Sequence, residues 1–211
     1  MLQSEPVQRT SKQIREWLDR LYRRAFRPQL DIRTQQIAQV LRSVGLFSEF
    51  NRGVIRSLAE SLHVREYKRD EYIYRERDPG LGMYIVQTGK VRLLAEDEEG
   101  NLHESHQVGD FEIFGHLALL GDFRRFETAQ AVTETSVFGF FRPELKAMIK
   151  RDPRTAAALL HALAGYAADQ HVSLYNLLIE KEGKMIATRM HDVATQRVDA
   201  PSANASFIVR P

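Results

Sequence analysis

The segment 114–131 contains residue types whose spacing suits the binding of a phosphate, and we call it the cassette. Gly115 lacks a Cβ, so the backbone there can approach a ligand closely. The apolar residues 117–120 predict one helical turn, whose first backbone N–H groups would form a site for an anion. Arg125 adds a planar guanidinium whose donors match a phosphate. Together these residues predict a cradle for a phosphate group.

Short β-like runs surround the cassette and must position it. Turn sequences rich in Gly, Pro, Asn and Asp separate these runs, and a pattern of many short strands with regular turns predicts a sandwich or a barrel-like roll. Helices of about 10–15 residues do not alternate with the runs, which argues against a parallel α/β sheet. The predicted strands are Val64–Tyr67, Tyr72–Tyr74, Met83–Gln87, Val91–Ala95, Leu102–Gln107, Thr128–Val132 and Val137–Phe141.

The cassette resembles the phosphate-binding cassette of the cyclic-nucleotide-binding domain family, which reads Phe-Gly-Glu, small or apolar residues, then Arg-Ala-Ala/Ser-Thr-x-x-Ala. The glycine-containing turns at 78–80, 88–91 and 109–110 also resemble the family, and the likeness covers roughly residues 40 to 150. It implies an α+β fold in which an antiparallel β-roll (a double-stranded β-helix or jelly roll) is flanked by N-terminal helices and a long C-terminal helix. The matching cassette positions are Phe114, Gly115, Arg125, Thr128 and Ala131.

Four features of the chain depart from the family pattern. His116 stands where the family has the glutamate that accepts from the ribose hydroxyl. Phe126 and Glu127 stand where two small residues normally follow the arginine. Residues 111–113 lie where the family commonly has a single residue, and we expect the two extra residues to be absorbed as a bulge that could shift the pocket wall.

These departures leave alternatives open for the polar residues of the cassette. Arg125 is either a phosphate clamp or a surface arginine paired with Glu127 or Asp122. His116 either contacts a different anionic ligand, with affinity rising as the pH falls, or fills a degenerate pocket. Phe126 would fill the space meant for a ligand, and the Glu127 carboxylate would oppose a phosphate about 5 Å away by several kcal/mol. We therefore expect weak or absent binding of cyclic AMP and cyclic GMP.

We therefore predict a non-enzymatic regulatory sensor whose ligand pocket lies at residues 109–128. Candidate ligands are cyclic AMP, cyclic GMP or another anionic small molecule, and we expect no metal. The alternative is an interaction scaffold that retained the roll and lost the ligand. The predicted pocket residues are Phe114, Gly115, His116, Leu117, Ala118, Arg125, Phe126 and Thr128.

Helices are predicted on both sides of the roll. Residues 11–29 form an amphipathic helix with an arginine-rich face, which we expect to pack on the domain or a partner rather than on an anionic membrane or nucleic acid. Residues 155–182 carry an apolar stripe, and in bacterial regulators of the family the corresponding helix pairs two subunits. The resemblance thus implies a homodimer through this helix. Further helices are predicted at 34–44, 51–62, 143–152 and 184–198.

The predicted organisation has four parts: an N-terminal helical extension at 1–33, the roll domain at 34–152, the C-terminal helical segment at 153–198 and a loose tail at 199–211. Regulators of this family end in a helix-turn-helix domain, but the short stretch after Glu182 has no room for one, so we expect no DNA binding of that kind.

Composition excludes several function classes. The chain has 211 residues, 43% hydrophobic and 27% charged, a normal globular balance with a formal net charge of only +2. It has no cysteine, and it shows neither a signal peptide in residues 1–10 nor an apolar run near the roughly 18 residues of a membrane helix, so we expect a cytoplasmic protein. Known catalytic motifs are absent, and His103 and His106 are predicted to be exposed on a strand rather than metal ligands.

Overall fold

This computed structural model describes residues 32–199, with side chains to residue 195. The predicted helix at 11–29 and the tail from Ala200 lie outside these residues. The first described helix, α1 (32–43), leads through a 3-10 turn at Gly45–Phe47 to α2 (Arg52–Ala59). Asn51 caps α2 as predicted, because its Oδ1 accepts from the backbone N–H groups of Gly53 at 2.9 Å and Val54 at 3.1 Å.

Residues 63–141 form two four-stranded antiparallel sheets, with strand orders β1-β8-β3-β6 and β2-β7-β4-β5. The predicted antiparallel roll is confirmed. Strand β6 was not predicted, because a run of two residues has no readable alternation. The strands are β1 (His63–Tyr67), β2 (Tyr72–Tyr74), β3 (Gly82–Thr88), β4 (Val91–Glu96), β5 (Leu102–Val108), β6 (Ile113–Phe114), β7 (Thr128–Ala131) and β8 (Thr135–Phe141).

The remaining helices lie in and after the roll, and the helices predicted after the roll are found to within two residues. They are α3 (Leu117–Leu120), α4 (Arg142–Arg151), α5 (Pro153–Glu182) and α6 (Lys184–Asp199). The start of α5 is fixed by Asp152, whose carboxylate accepts from the Thr155 hydroxyl at 2.7 Å and from the Ser57 hydroxyl of α2 at 2.8 Å. Both hydrogen bonds lower the pKa of Asp152, and the bond from Thr155 has the larger effect.

Strands β3 and β8 are buried on both faces and separate two apolar clusters. Alternate side chains of each strand point to opposite faces of a sheet. On the inner face Tyr84, Val86 and Val137 pack inside the roll, against Val91, Val108, Phe114 and Ala129. On the outer face Met83, Ile85, Phe138 and Phe140 pack against helices α1, α2, α4 and α5. The helices therefore cover the sheet that contains β3 and β8. The cassette begins at β6, on the edge of the same sheet.

The apolar stripe predicted along α5 divides into two parts. Its first half packs on the chain's own core, since Leu159 and Leu163 have no exposed surface. Beyond Tyr166 the stripe is uncovered, with Leu174 57% and Leu177 49% exposed. Helix α6 turns back on this second half after Gly183, and the Tyr175 hydroxyl lies 2.9 Å from the Thr188 hydroxyl. Among the described residues, no helix is long and apolar enough to cross a membrane.

Two adjacent residues of α4 test this packing. Met148 is fully buried in the outer cluster, whereas Ile149 is 46% exposed. We expect Met148→Ala to lower the free energy of unfolding by about 2–5 kcal/mol, because it removes buried methylenes and leaves a cavity. Ile149→Ala, the matched control, should cost less than about 1 kcal/mol. Urea denaturation followed by circular dichroism measures both, and equal losses would contradict the orientation of α4.

Candidate ligand-binding site

The cassette runs from β6 through Gly115 and α3, then along a loop to β7. Gly115 has a φ of +66°, in the left-handed region that favours glycine. A Cβ at this position would also overlap the guanidinium of Arg125. The glycine is therefore required, as the sequence predicted, but the group that approaches it closely is a side chain of the same cassette.

Arg125 is buried and binds backbone carbonyl groups. Its Nη1 donates to the Gly115 carbonyl oxygen at 2.8 Å, and its Nη2 donates to the Gly82 carbonyl oxygen at 2.6 Å. Its Cζ also lies 4.1 Å from the centre of the Tyr74 ring, a cation–π contact. Its Nε is buried, with no hydrogen-bond partner among the described residues. Arg125 thus holds the cassette against β3.

The prediction that Arg125 is a surface arginine paired with Glu127 or Asp122 is wrong. Its side chain is only 7% exposed. Asp122 instead pairs with Arg142, whose Nη1 lies 2.8 Å from Asp122 Oδ1. The Glu127 carboxylate accepts from the Tyr74 hydroxyl at 3.4 Å. A guanidinium that already donates to two carbonyl groups has fewer donors left for a ligand.

His116 connects the cassette to α5. Its Nε2 lies 3.1 Å from Gln170 Oε1, and its ring meets the Tyr166 ring edge-on with 5.0 Å between centroids. Because the Gln170 oxygen only accepts, Nε2 carries the proton and the buried Nδ1 has no partner among the described residues. Burial lowers the pKa of His116, so the imidazole is neutral near pH 7. His116 therefore does more than fill a pocket, because it holds α5 to α3.

Glu127 and Phe126 follow Arg125 and face different surroundings. Burial raises the pKa of Glu127, although the hydrogen bond from Tyr74 and the charge of Arg125 oppose that shift. Phe126 is 56% exposed, so the expectation that its ring fills the ligand space is wrong. The ring lies instead at the rim of the site.

Two cavities meet at the cassette. A cavity of about 60 Å³ lies against Arg125, Ala118 and Tyr74, and it is smaller than the roughly 300–1,000 Å³ of ordinary ligand pockets. A larger cavity of about 510 Å³ lies between the cassette, β4, β5 and α5. The residues that line both cavities are Gly115, His116, Leu117, Phe126 and Glu127.

The predicted pocket residues are divided between these cavities. Phe114 lines only the larger cavity, whereas Ala118 and Arg125 line only the smaller one. Thr128 lines neither, because its buried hydroxyl accepts from the backbone N–H of Glu76 at 2.9 Å. Sequence reasoning missed Tyr166 and Gln170, which line the larger cavity from a helix distant in sequence.

The extra residues before the cassette form a turn that contributes to the larger cavity. Phe111 has a φ of +67°, and its backbone N–H donates to the Val86 carbonyl at 2.8 Å. The Gly109 N–H donates to Glu112 Oε2 at 2.6 Å and closes the turn. Phe111 and Glu112 both line the larger cavity. The insertion thus supplies part of the pocket wall, as the sequence suggested, through a turn rather than a bulge.

The histidines of β5 have separate surroundings. His103 is exposed, and its Nε2 lies 2.6 Å from Asp97 Oδ2. This hydrogen bond is the largest of the effects that lower the pKa of Asp97 to about 2. His106 is also exposed and borders the larger cavity. Within residues 32–199 no three His, Cys, Asp or Glu side chains are grouped to hold a metal ion.

Comparison with known proteins finds relatives of this domain. The cyclic AMP receptor protein of Thermus thermophilus is 31% identical over 123 residues, which cover 58% of this chain and 57% of that protein. A putative potassium channel protein of Rhodopseudomonas palustris is 28% identical, and the match covers only 29% of its length. A CRP-like cAMP-activated global transcriptional regulator of Mycobacterium tuberculosis is 23% identical over 156 residues, 74% of this chain and 70% of that protein.

Solved structures and a family model agree with these relatives. The N-terminal domain of a transcriptional regulator from Streptomyces coelicolor A3(2) superposes with a TM-score of 0.57 at 29% identity, covering 62% of this chain and 94% of that one. Thermus thermophilus catabolite activator protein gives a TM-score of 0.54 at 29% identity, covering 64% of this chain and 63% of that one. The family model of the cyclic nucleotide-binding domain matches residues 64–152. Residues 64–152 therefore match the cyclic nucleotide-binding domain, and the resemblance predicted from the cassette is confirmed.

Proposed function

We propose that the chain is a non-enzymatic sensor in which a small molecule in the larger cavity changes the position of α5 and so signals to a partner. The observation that supports this most directly is the contact of His116 with Tyr166 and Gln170. All three residues line the cavity, so a ligand there touches both the cassette and α5. We place the protein in the cytoplasm, which suits a chain without cysteine.

A ligand shifts α5 only if it binds one position of the helix more tightly than another. The larger cavity meets this condition because its wall combines residues of the roll with residues of α5. Its volume of about 510 Å³ also lies within the range of roughly 300–1,000 Å³ found for small-molecule sites. The relatives named for cyclic AMP support a ligand of nucleotide size.

The alternative is a scaffold that kept the roll without a ligand. Arg125 donates to the Gly115 and Gly82 carbonyls, and the half-buried Glu127 carboxylate opposes a phosphate nearby. Both observations argue against tight binding of cyclic AMP or cyclic GMP by the chain as it stands. They do not remove the larger cavity, and for that reason the sensor is the function we propose.

Restoring the family cassette tests whether its departures weaken the binding of cyclic AMP. We expect the variant His116→Glu/Phe126→Ala/Glu127→Ser to bind cyclic AMP at least about 100-fold more tightly than the wild type, because about 3 kcal/mol of repulsion at 5 Å is removed. Isothermal titration calorimetry measures both affinities, and circular dichroism checks that the variant is folded. A folded variant that gives no heat of binding would contradict this explanation, whereas a wild type that binds none of the candidate ligands would favour the scaffold.

Arg125 needs a test of its own, because its contacts are structural. We expect Arg125→Ala to lower the free energy of unfolding by about 3 kcal/mol or more, since it leaves two carbonyl groups without their charged donors. Arg124→Ala is the matched control, because Arg124 is exposed and donates only to the Arg77 carbonyl. Its cost should stay below about 1 kcal/mol. If urea denaturation gives similar losses in the free energy of unfolding for both variants, Arg125 does not hold the cassette to β3.

We also propose that two copies associate through the second half of α5 and through α6. These two segments carry many large exposed apolar side chains, and exposed apolar surface of this extent is typical of an interface. A second copy presents the same patch, as a two-fold interface requires. The exposed residues are Val172, Leu174, Leu177, Met185, Ile186, Met190 and Val193.

Charge placed on this surface should separate the copies. We expect Leu174→Glu/Leu177→Glu to convert a dimer to a monomer, because both carboxylates would be buried against apolar groups. Asn176→Glu adds a charge at an exposed polar position of the same helix and should leave the dimer intact. Size-exclusion chromatography with light scattering gives the mass of each, and a monomeric wild type would refute the proposal.

A further inference from the structure

The larger cavity has an unusual charge for a site derived from a phosphate cradle. Its charged lining residues, within residues 32–199, are the carboxylates Glu112 and Glu127, with no lysine or arginine. The imidazoles of His106 and His116 also line it, and burial keeps His116 neutral near pH 7. Electrostatically the wall therefore opposes an anion and favours a cation.

The guanidinium of Arg125 does not offset the negative charge of the larger cavity. Arg125 borders the smaller cavity and not the larger one. Its side chain is 7% exposed, and its two terminal nitrogens donate to the Gly115 and Gly82 carbonyls. Moving it toward a ligand would break both hydrogen bonds and its contact with Tyr74.

Glu127 is influenced by the charge of Arg125 but forms no ion pair with it. Its one described hydrogen bond comes from the Tyr74 hydroxyl at 3.4 Å, and neither Glu127 nor Glu112 is in an ion pair within the described chain. Burial raises the pKa of Glu127, which means that its charged form is poorly solvated there. A positively charged group next to this carboxylate would offset that cost.

Aromatic rings form part of the wall, beside aliphatic side chains such as Leu93 and Val108. Phe111, Phe126 and Tyr166 line the larger cavity together with the two carboxylates. Phe111 is 39% and Phe126 56% exposed, so both rings are accessible to a ligand. Aromatic faces attract cations as well as flat rings, and they give an anion no stabilisation.

We propose that the larger cavity binds an organic cation, a protonated amine carried on a flat ring compound of nucleoside size. The ammonium group donates to Glu127, and the ring packs on the aromatic wall. This inference rests on the proposed sensor function and specifies its ligand class.

Three adenosine derivatives with the same ring test the charge preference. They are 5′-amino-5′-deoxyadenosine, which is a cation at neutral pH, adenosine, which is neutral, and adenosine 5′-monophosphate, which is an anion. We expect wild-type affinity to fall by about tenfold or more at each step from cation to neutral compound to anion, as measured by calorimetry at pH 7. Adenosine or the monophosphate binding as tightly as the amine would overturn the proposal.

Substitution of the carboxylate separates charge from shape. Glu127→Gln should weaken binding of the amine about tenfold, strengthen binding of the monophosphate and leave adenosine within about threefold of wild type. Glu104→Gln is the matched control, because Glu104 is an exposed carboxylate of β5 that does not line the cavity. It should change none of the three affinities. An unchanged preference in Glu127→Gln would also overturn the proposal.

The restored variant His116→Glu/Phe126→Ala/Glu127→Ser makes the failures distinguishable. If the wild type binds cyclic AMP but none of the three compounds, the cation proposal is overturned and the sensor function stands. If the wild type binds none of the four compounds while the restored variant binds cyclic AMP, the scaffold is favoured, the proposed function fails, and the cation proposal fails with it.

Discussion

Two hydrogen bonds from one buried guanidinium hold the cassette of this domain to its sheet. Arg125 donates to the carbonyl groups of Gly115, at the start of the cassette, and of Gly82, at the start of β3. This arrangement requires Gly115 to lack a side chain, because a Cβ would overlap the guanidinium. It also places the guanidinium of Arg125 over the Tyr74 ring and close enough to Glu127 for its charge to act on that carboxylate. The position of α3, and of the cavities on either side of it, depends on this contact.

The charged residues around Arg125 differ from those of a phosphate cradle at two positions. The position that carries a carboxylate in the family carries the neutral imidazole of His116, and a carboxylate appears instead at Glu127. His116 uses its hydrogen bond to reach Gln170 rather than a ribose. His116 therefore takes part in the contact between α3 and α5 and also lines both cavities.

Sequence reasoning predicted the fold well because its signals are local. The short β-like runs and the glycine-containing turns depend on neighbouring residues only, and the strands and helices appear close to their predicted bounds. The cassette was likewise found from spacing. The partners of its side chains were not, because Arg125 reaches backbone carbonyl oxygens and no residue type marks a carbonyl oxygen as an acceptor.

The cavity wall was predicted only in part, for a related reason. Tyr166 and Gln170 belong to a helix that returns to the cassette only in three dimensions, so their role leaves no pattern within the segment 114–131. Phe111 was recognised as part of an insertion, but its left-handed backbone conformation is uncommon for an aromatic residue and follows from hydrogen bonds to Val86 and within the turn. Only the charge of Glu127 could be predicted, because it follows from the residue type alone, whereas its burial and its hydrogen bond with Tyr74 depend on the fold.

The way α5 is attached also sets how far a small movement would travel. Asp152 fixes the first turn of the helix to α2, and the contact with His116 comes at Gln170, 18 residues further along or about 27 Å at 1.5 Å per residue. The helix continues to Glu182, about 45 Å from Asp152. If α5 tilts as a rigid lever with its fulcrum at Asp152, a displacement at Gln170 becomes about 1.7 times larger at its far end. A shift of one or two ångströms beside the cavity would thereby be amplified where the exposed apolar side chains of α5 and α6 begin.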